Sequence, residues 1–146
     1  DNTFYADNVA YYKSSANNGY TGSLEVAQIP DQMLADVWGM TLNTDGVVVE
    51  KTGIQPKPFA LIFQVDTDDV DELNLFYRVV PTTKPISSPA TTEDTVEPFT
   101  TSFDFEALPL VSGSAVQQGL IKAKTTPTTT EAKKTAWFSE VYVPVA

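Results

Sequence analysis

The sequence contains no cysteine and no histidine in its 146 residues. Without cysteine there is no disulfide framework, iron–sulfur cluster, thiolate zinc site or cysteine nucleophile. Without histidine there is no Ser–His–Asp triad and no imidazole metal site. Positive charge is scarce: 9 Lys and Arg stand against 19 Asp and Glu, a net charge of −10. So acidic a surface repels nucleic-acid phosphates, which argues against ordinary groove or backbone binding. No apolar run approaches the roughly 20 residues of a membrane span, and the opening residues lack a signal-peptide pattern. The first residue is Asp1 rather than Met, as expected for a piece of a longer product. The length suits one domain able to bury a core without staples.

What is present reads as short strands between Thr-rich and Pro-rich segments. Residues 3–12 are β-prone, with Phe4, Tyr5, Val9, Tyr11 and Tyr12. Asn17-Asn18-Gly19 signals a turn, because Asn and Gly tolerate positive φ. Residues 20–27 alternate, with Tyr20, Gly22, Leu24 and Val26 on one side. Pro30 and Asp31 fit the start of a helix. Met33, Leu34, Val37 and Trp38 fall on one stripe, and Gly39 suits the cap, predicting a helix over about 30–38. Asn43-Thr44-Asp45-Gly46 sits between two apolar runs, a strong hairpin signal. Residues 59–65 and 73–80 read as core strands joined by an acidic hairpin loop. Residues 81–98 form the longest irregular segment, with Pro81, Pro85, Pro89 and Pro98. Residues 99–107 alternate again, with Phe99, Thr101, Phe103 and Phe105 inward. A strand over 119–125, a short helix over 131–138 and an extended piece over 141–145 complete the chain. The expected fold is mainly β, a β-sandwich or flattened barrel with one flanking helix and a short C-terminal helix, in a single domain spanning 1–146.

Chemistry-bearing residues are few. Asp66, Asp68, Asp69, Asp71 and Glu72 invite a calcium reading, but the spacing fails the EF-hand pattern: position six is Asp71 rather than Gly, and position twelve is Tyr77. A solvated hairpin tip is the favoured reading. Lys122, Lys124, Lys133 and Lys134 lie in polar stretches and read as surface lysines, not as the buried lysine of a Ser–Lys pair. Trp38 and Trp137 read as packing anchors. Arg78 is the only arginine; an ion pair across strands and a contact to a neighbouring subunit suit it equally. Val47, Val48 and Val49 put apolar surface on both faces of their hairpin, which is either covered by the helix or packed on another copy.

Several blocks are similar to one known family. Residues 1–12 (DNTFYADNVAYY) resemble the opening block of major tail proteins of long-tailed phages of Gram-positive bacteria. The similarity continues through residues 16–22, 24–31, 46–50 and 57–61, and through the ending Trp137-Phe138-Ser139-Glu140-Val141-Tyr142. The resemblance implies a β-sandwich or barrel that assembles in sixfold rings, stacked as the tube of a non-contractile tail. It implies no catalytic residue and no cofactor. Its partners are further copies, other tail proteins and the DNA that passes through without specific binding; no membrane is involved, and the site of action is the virion. Family members usually carry a further N-terminal segment before this block. On this reading Val47, Val48, Val49 and Arg78 are interface candidates, and Asp66, Asp68, Asp69, Asp71 and Glu72 are candidates for an acidic lumen. The competing readings are a secreted carbohydrate-binding or adhesin-like β-sandwich and, more weakly, a carboxylate-based hydrolase.

Overall fold

A computed structural model describes residues 3–6, 10–15, 19–66, 71–88, 91–92, 95–96 and 100–145. In chain order the elements are β1 (Thr3–Ala6), β2 (Ala10–Ser14), β3 (Tyr20–Val26), α1 (Asp31–Asp36), β4 (Thr41–Leu42), β5 (Val48–Val49), β6 (Phe59–Asp66) and β7 (Asp71–Pro81). They continue with β8 (Ile86–Ser88), β9 (Thr91–Thr92), β10 (Thr95–Val96), β11 (Thr100–Leu108), β12 (Lys122–Lys124) and α2 (Glu131–Ala136). The main sheet runs β1-β6-β7-β11-β3-β2, with β12 added beside β7 and β8 beside β11. It curls into a half-barrel, so the fold is mainly β with two short helices, as the sequence predicts.

The β-prone block 3–12 serves two strands at opposite ends of this sheet. β1 runs parallel to β6, and β2 runs antiparallel to β3. Ala6 and Ala10 are four residues apart, a reach of at most about 14 Å. The two outermost strands therefore approach each other at one end, and a flat sheet is ruled out. Tyr12 on β2 packs across the interior, its ring 5.8 Å from Phe63 on β6 and 5.1 Å from Phe76 on β7.

Alternation places the core. On β11, Thr101, Phe103, Phe105 and Ala107 are buried while Asp104 and Glu106 are exposed. Leu24 and Val26 on β3 join them, and Ile29, Val37 and Trp38 close the cluster from the α1 side. Residues 59–63 and 73–77 are buried without alternation because both faces are covered. Ala60, Ile62, Leu73, Leu75 and Tyr77 turn outward against Trp137 and the segment after α2. A bulge sits in this pair. Phe59 faces Val79 and Leu61 faces Phe76, so Ala60 is opposed by both Tyr77 and Arg78. The extra residue returns Val79 to the inner core and leaves Arg78 out of it.

Several expectations are corrected. The first helix covers Asp31–Asp36 rather than 30–38. Val37 and Trp38 belong to its terminating turn, where Gly39 adopts φ 77° and Lys57 N–H takes the Val37 carbonyl at 2.7 Å. The segment 81–98 is not wholly irregular: β8 takes the edge of β11 that β7 leaves open, and β9 pairs with β10. Phe99 lies outside the described residues. Gly19 is needed for close approach, not for positive φ: a Cβ there would collide with the backbone carbonyl oxygen of Ala107.

Two outcomes follow for stability. Gly19→Ala should lower it by about 1–3 kcal/mol in urea unfolding, because backbone rather than a side-chain tip must move. Tyr77 is buried and donates to the Tyr142 carbonyl at 2.8 Å. Burial, with Tyr142 adding to it, pushes its hydroxyl from 10.0 up to about 12. Folding therefore favours the neutral phenol. That contribution is full below the unfolded-state value near 10 and is lost as pH rises toward 12. Tyr77→Phe should remove this part of the alkaline stability loss in unfolding curves measured from pH 8 to 12. The variant should also cost about 1 kcal/mol at neutral pH for the missing hydrogen bond.

Candidate functional site

Two surfaces stand out, and both follow from how the strands share out their faces. The first is the β4–β5 hairpin. Asn43 N–H bonds to Val47 O and Gly46 N–H to Asn43 O, each at 2.9 Å, and Gly46 takes φ 80°. The turn residues read in the sequence thus form the predicted reversal. The hairpin makes its own two-stranded sheet, separate from the main one, and lies next to α1. Leu42, Val47 and Val49 are exposed at 39%, 53% and 36%, while Val48 is half-buried. The hairpin lies against α1 with Val48 half-buried, while Val47 stays exposed. The pairing Thr41↔Val49 and Leu42↔Val48 holds the strands to each other, and α1 spends its apolar stripe on the barrel core.

The second surface is the outer face of β2, β3 and β11. Trp137 and the segment after α2 cover the outer face over β6 and β7, but not here. Glu25, Asp104 and Glu106 are exposed, and Ser23 Oγ donates to Asp104 Oδ1 at 2.5 Å across the β3–β11 pair. Ser23, Asp104 and Glu106, with Lys13 and Thr21, line a shallow concavity of about 600 Å³. These carboxylates were not singled out as candidates in the sequence. Their signal was present: if Phe103 and Phe105 point inward, Asp104 and Glu106 must point outward.

The remaining predicted residues are scattered. Arg78 donates from Nη1 to the Pro109 carbonyl at 3.3 Å and makes no ion pair with a described residue. Asp66 and Asp71 are paired where β6 hands over to β7. Glu72 is half-buried, 3.7 Å from Lys124 Nζ. Asp68 and Asp69 lie outside the described residues. Among the described residues no group of three acidic side chains is placed to hold a metal ion. Lys122 is not the surface lysine the sequence suggested. It is half-buried, with Nζ 3.0 Å from the Tyr12 hydroxyl, 4.9 Å from the Tyr12 ring centre and 5.8 Å from that of Tyr20. Such a cation over two aromatic faces ties β12 to β2 across the mouth of the barrel. Trp38 and Trp137 are packing anchors as expected: Trp38 Nε1 donates to Thr83 O and Trp137 Nε1 to Asn74 O, each at 3.2 Å.

Charge is unevenly spread. Residues 41–57 together with Lys84 hold Lys51, Lys57 and Lys84 against Asp45 and Glu50, a net of +1. The rest of the chain then carries −11. The exposed aliphatic hairpin therefore lies in a segment without net negative charge.

Comparisons with known protein families, curated proteins and solved structures return no match to this chain.

An exposed valine on a separate hairpin contributes little to the fold. Val47→Asp should change unfolding free energy by no more than about 0.5 kcal/mol, read by urea denaturation at low protein concentration.

Proposed function

We propose that the chain is a structural subunit of a phage tail tube, assembling into hexameric rings that stack into a hollow conduit for DNA. The observation that carries this reading is the projecting hairpin. Leu42, Val47 and Val49 lie in water, in a part of a strongly acidic chain that carries no net negative charge. Exposed apolar surface of this kind serves association. The acidic outer face of β3 and β11 supports a second part of the reading. A wall bearing Glu25, Asp104 and Glu106 repels phosphate and lets DNA slide, whereas lysine contacts would hold it. Asp66, Asp68, Asp69, Asp71 and Glu72 are the other candidates for that wall. On this reading the chain breaks no bond, and its work is to bind copies of itself.

The concavity over β2, β3 and β11 favours one alternative, a carbohydrate-binding module. Lys13, Ser23, Asp104 and Glu106 offer hydrogen-bonding groups of the kind that recognise sugar hydroxyls.

Negative-stain microscopy and sedimentation across a concentration series separate the two. Rings or tubes of constant diameter are expected, with the Val47→Asp variant shifted toward monomer by at least tenfold in concentration. A chain that stays monomeric at millimolar concentration and binds a glycan array would overturn the tube reading. For the conduit, Asn and Gln replacements at Glu25, Asp104 and Glu106 should leave tubes intact and slow genome delivery. Unchanged delivery would remove this face from the lumen.

A further inference from the structure

We propose that the Asn74 side chain binds one buried water molecule just inside the barrel mouth. The site is independent of any contact between copies of the chain. Among the described residues, the buried polar ones are Asn74, Thr101 and Thr125. Thr125 Oγ1 accepts from Leu73 N–H at 3.1 Å, and Thr101 Oγ1 pairs with Ser87 Oγ at 3.2 Å. Asn74 is 1% exposed, yet its Oδ1 accepts from no described residue. Its Nδ2 donates to the Glu72 carbonyl at 3.3 Å, which fixes the orientation of the amide. A buried acceptor without a donor is costly, and native structures rarely keep one.

Strand register places this oxygen. Side chains on one face of a strand recur every second residue, so Asn74 faces inward with Phe76, a member of the aromatic interior. It stands opposite Phe63 on β6 and opposite Lys124 on β12. Phe63 and Phe76 are buried and have no side-chain donor to offer. Toward the rim the same face carries Glu72 and Lys124, 3.7 Å apart and both reaching solvent. Lys122, opposite Phe76, is the next polar residue along β12 on this face.

The chemistry of these groups selects the occupant. It must donate to Oδ1, which bars chloride and any other anion without a hydrogen. Two ammonium groups on this face, Lys122 and Lys124, oppose a metal cation, and Glu72 is already beside Lys124. What fits is a small neutral O–H group that donates to the amide and accepts from a lysine. Water does both, and the solvent-accessible rim gives it a way in. Bound there, it fastens β7 to β12, which are otherwise joined over the short register Lys122↔Phe76 to Lys124↔Asn74.

A high-resolution crystal structure of the unmodified chain should show water density within about 3.2 Å of Asn74 Oδ1. In solution, the Asn74 side-chain amide protons should give a cross-peak to a long-lived water. In Asn74→Leu, similar in size but without the acceptor, the density should vanish while Phe63 and Phe76 keep their positions. A direct bond from Lys122 or Lys124 Nζ to Oδ1 would overturn the proposal. So would an ion in the density, shown by anomalous scattering, or an Oδ1 with neither density nor cross-peak. Density that persists in Asn74→Leu would overturn the assignment to Asn74. If that variant does not fold, the two measurements on the unmodified chain still decide.

Discussion

The link between the two outermost strands governs this fold. Three residues separate the end of β1 from the start of β2, yet the strands lie at opposite ends of a six-strand path. The sheet has to bend until its ends meet that short connection. Bending alone would leave a void, and the aromatic side chains fill it. Phe76 touches Tyr12, Tyr20, Phe63 and Phe105, with ring centres 5.1 to 6.0 Å apart. These contacts join β2, β3, β6, β7 and β11 through the interior, in edge-on or tilted arrangements that suit the ring quadrupoles. Lys122, over Tyr12 and Tyr20, closes the mouth of that cluster.

A curled sheet has one face that is easy to bury and one that is not. Here the outer face is divided. Over β6 and β7 it is apolar and carries Trp137 with the segment after α2. Over β2, β3 and β11 it is acidic and bare. The bulge opposite Ala60 is what lets β7 serve both regions, because it shifts the phase of alternation partway along the strand. Without it Arg78 would face the aromatic interior, where a guanidinium with no anion to meet it would be costly.

The hairpin of β4 and β5 stands apart from this economy of faces. Its backbone bonds are satisfied within itself, so nothing in the barrel obliges it to fold back. Val47 and Val49 remain exposed. For a chain with so many carboxylates, association has to occur where negative charge is lowest. The hairpin and its base carry no net negative charge, which supports the proposal that the chain associates with copies of itself.

Much of the architecture was legible along the chain. Alternation at residues 20–27 and 99–107 marked strands with one inward face. The apolar runs over 59–65 and 73–80 marked core strands. Asp45-Gly46 marked the hairpin turn, since few residue pairs accept that backbone. What the one-dimensional pattern could not show was which distant segments share a face. The division of residues 3–12 between two sheet edges, the bulge at Tyr77 and Arg78, and the approach of Gly19 to Ala107 depend on pairing partners far away in sequence. The candidate site was legible in part. Val47 and Val49 were visible as apolar residues, but exposure is a property of what fails to cover them. Asp104 and Glu106 were implied by the inward phenylalanines, and only the placement of Trp137 and the segment after α2 over the other half of the sheet left them bare.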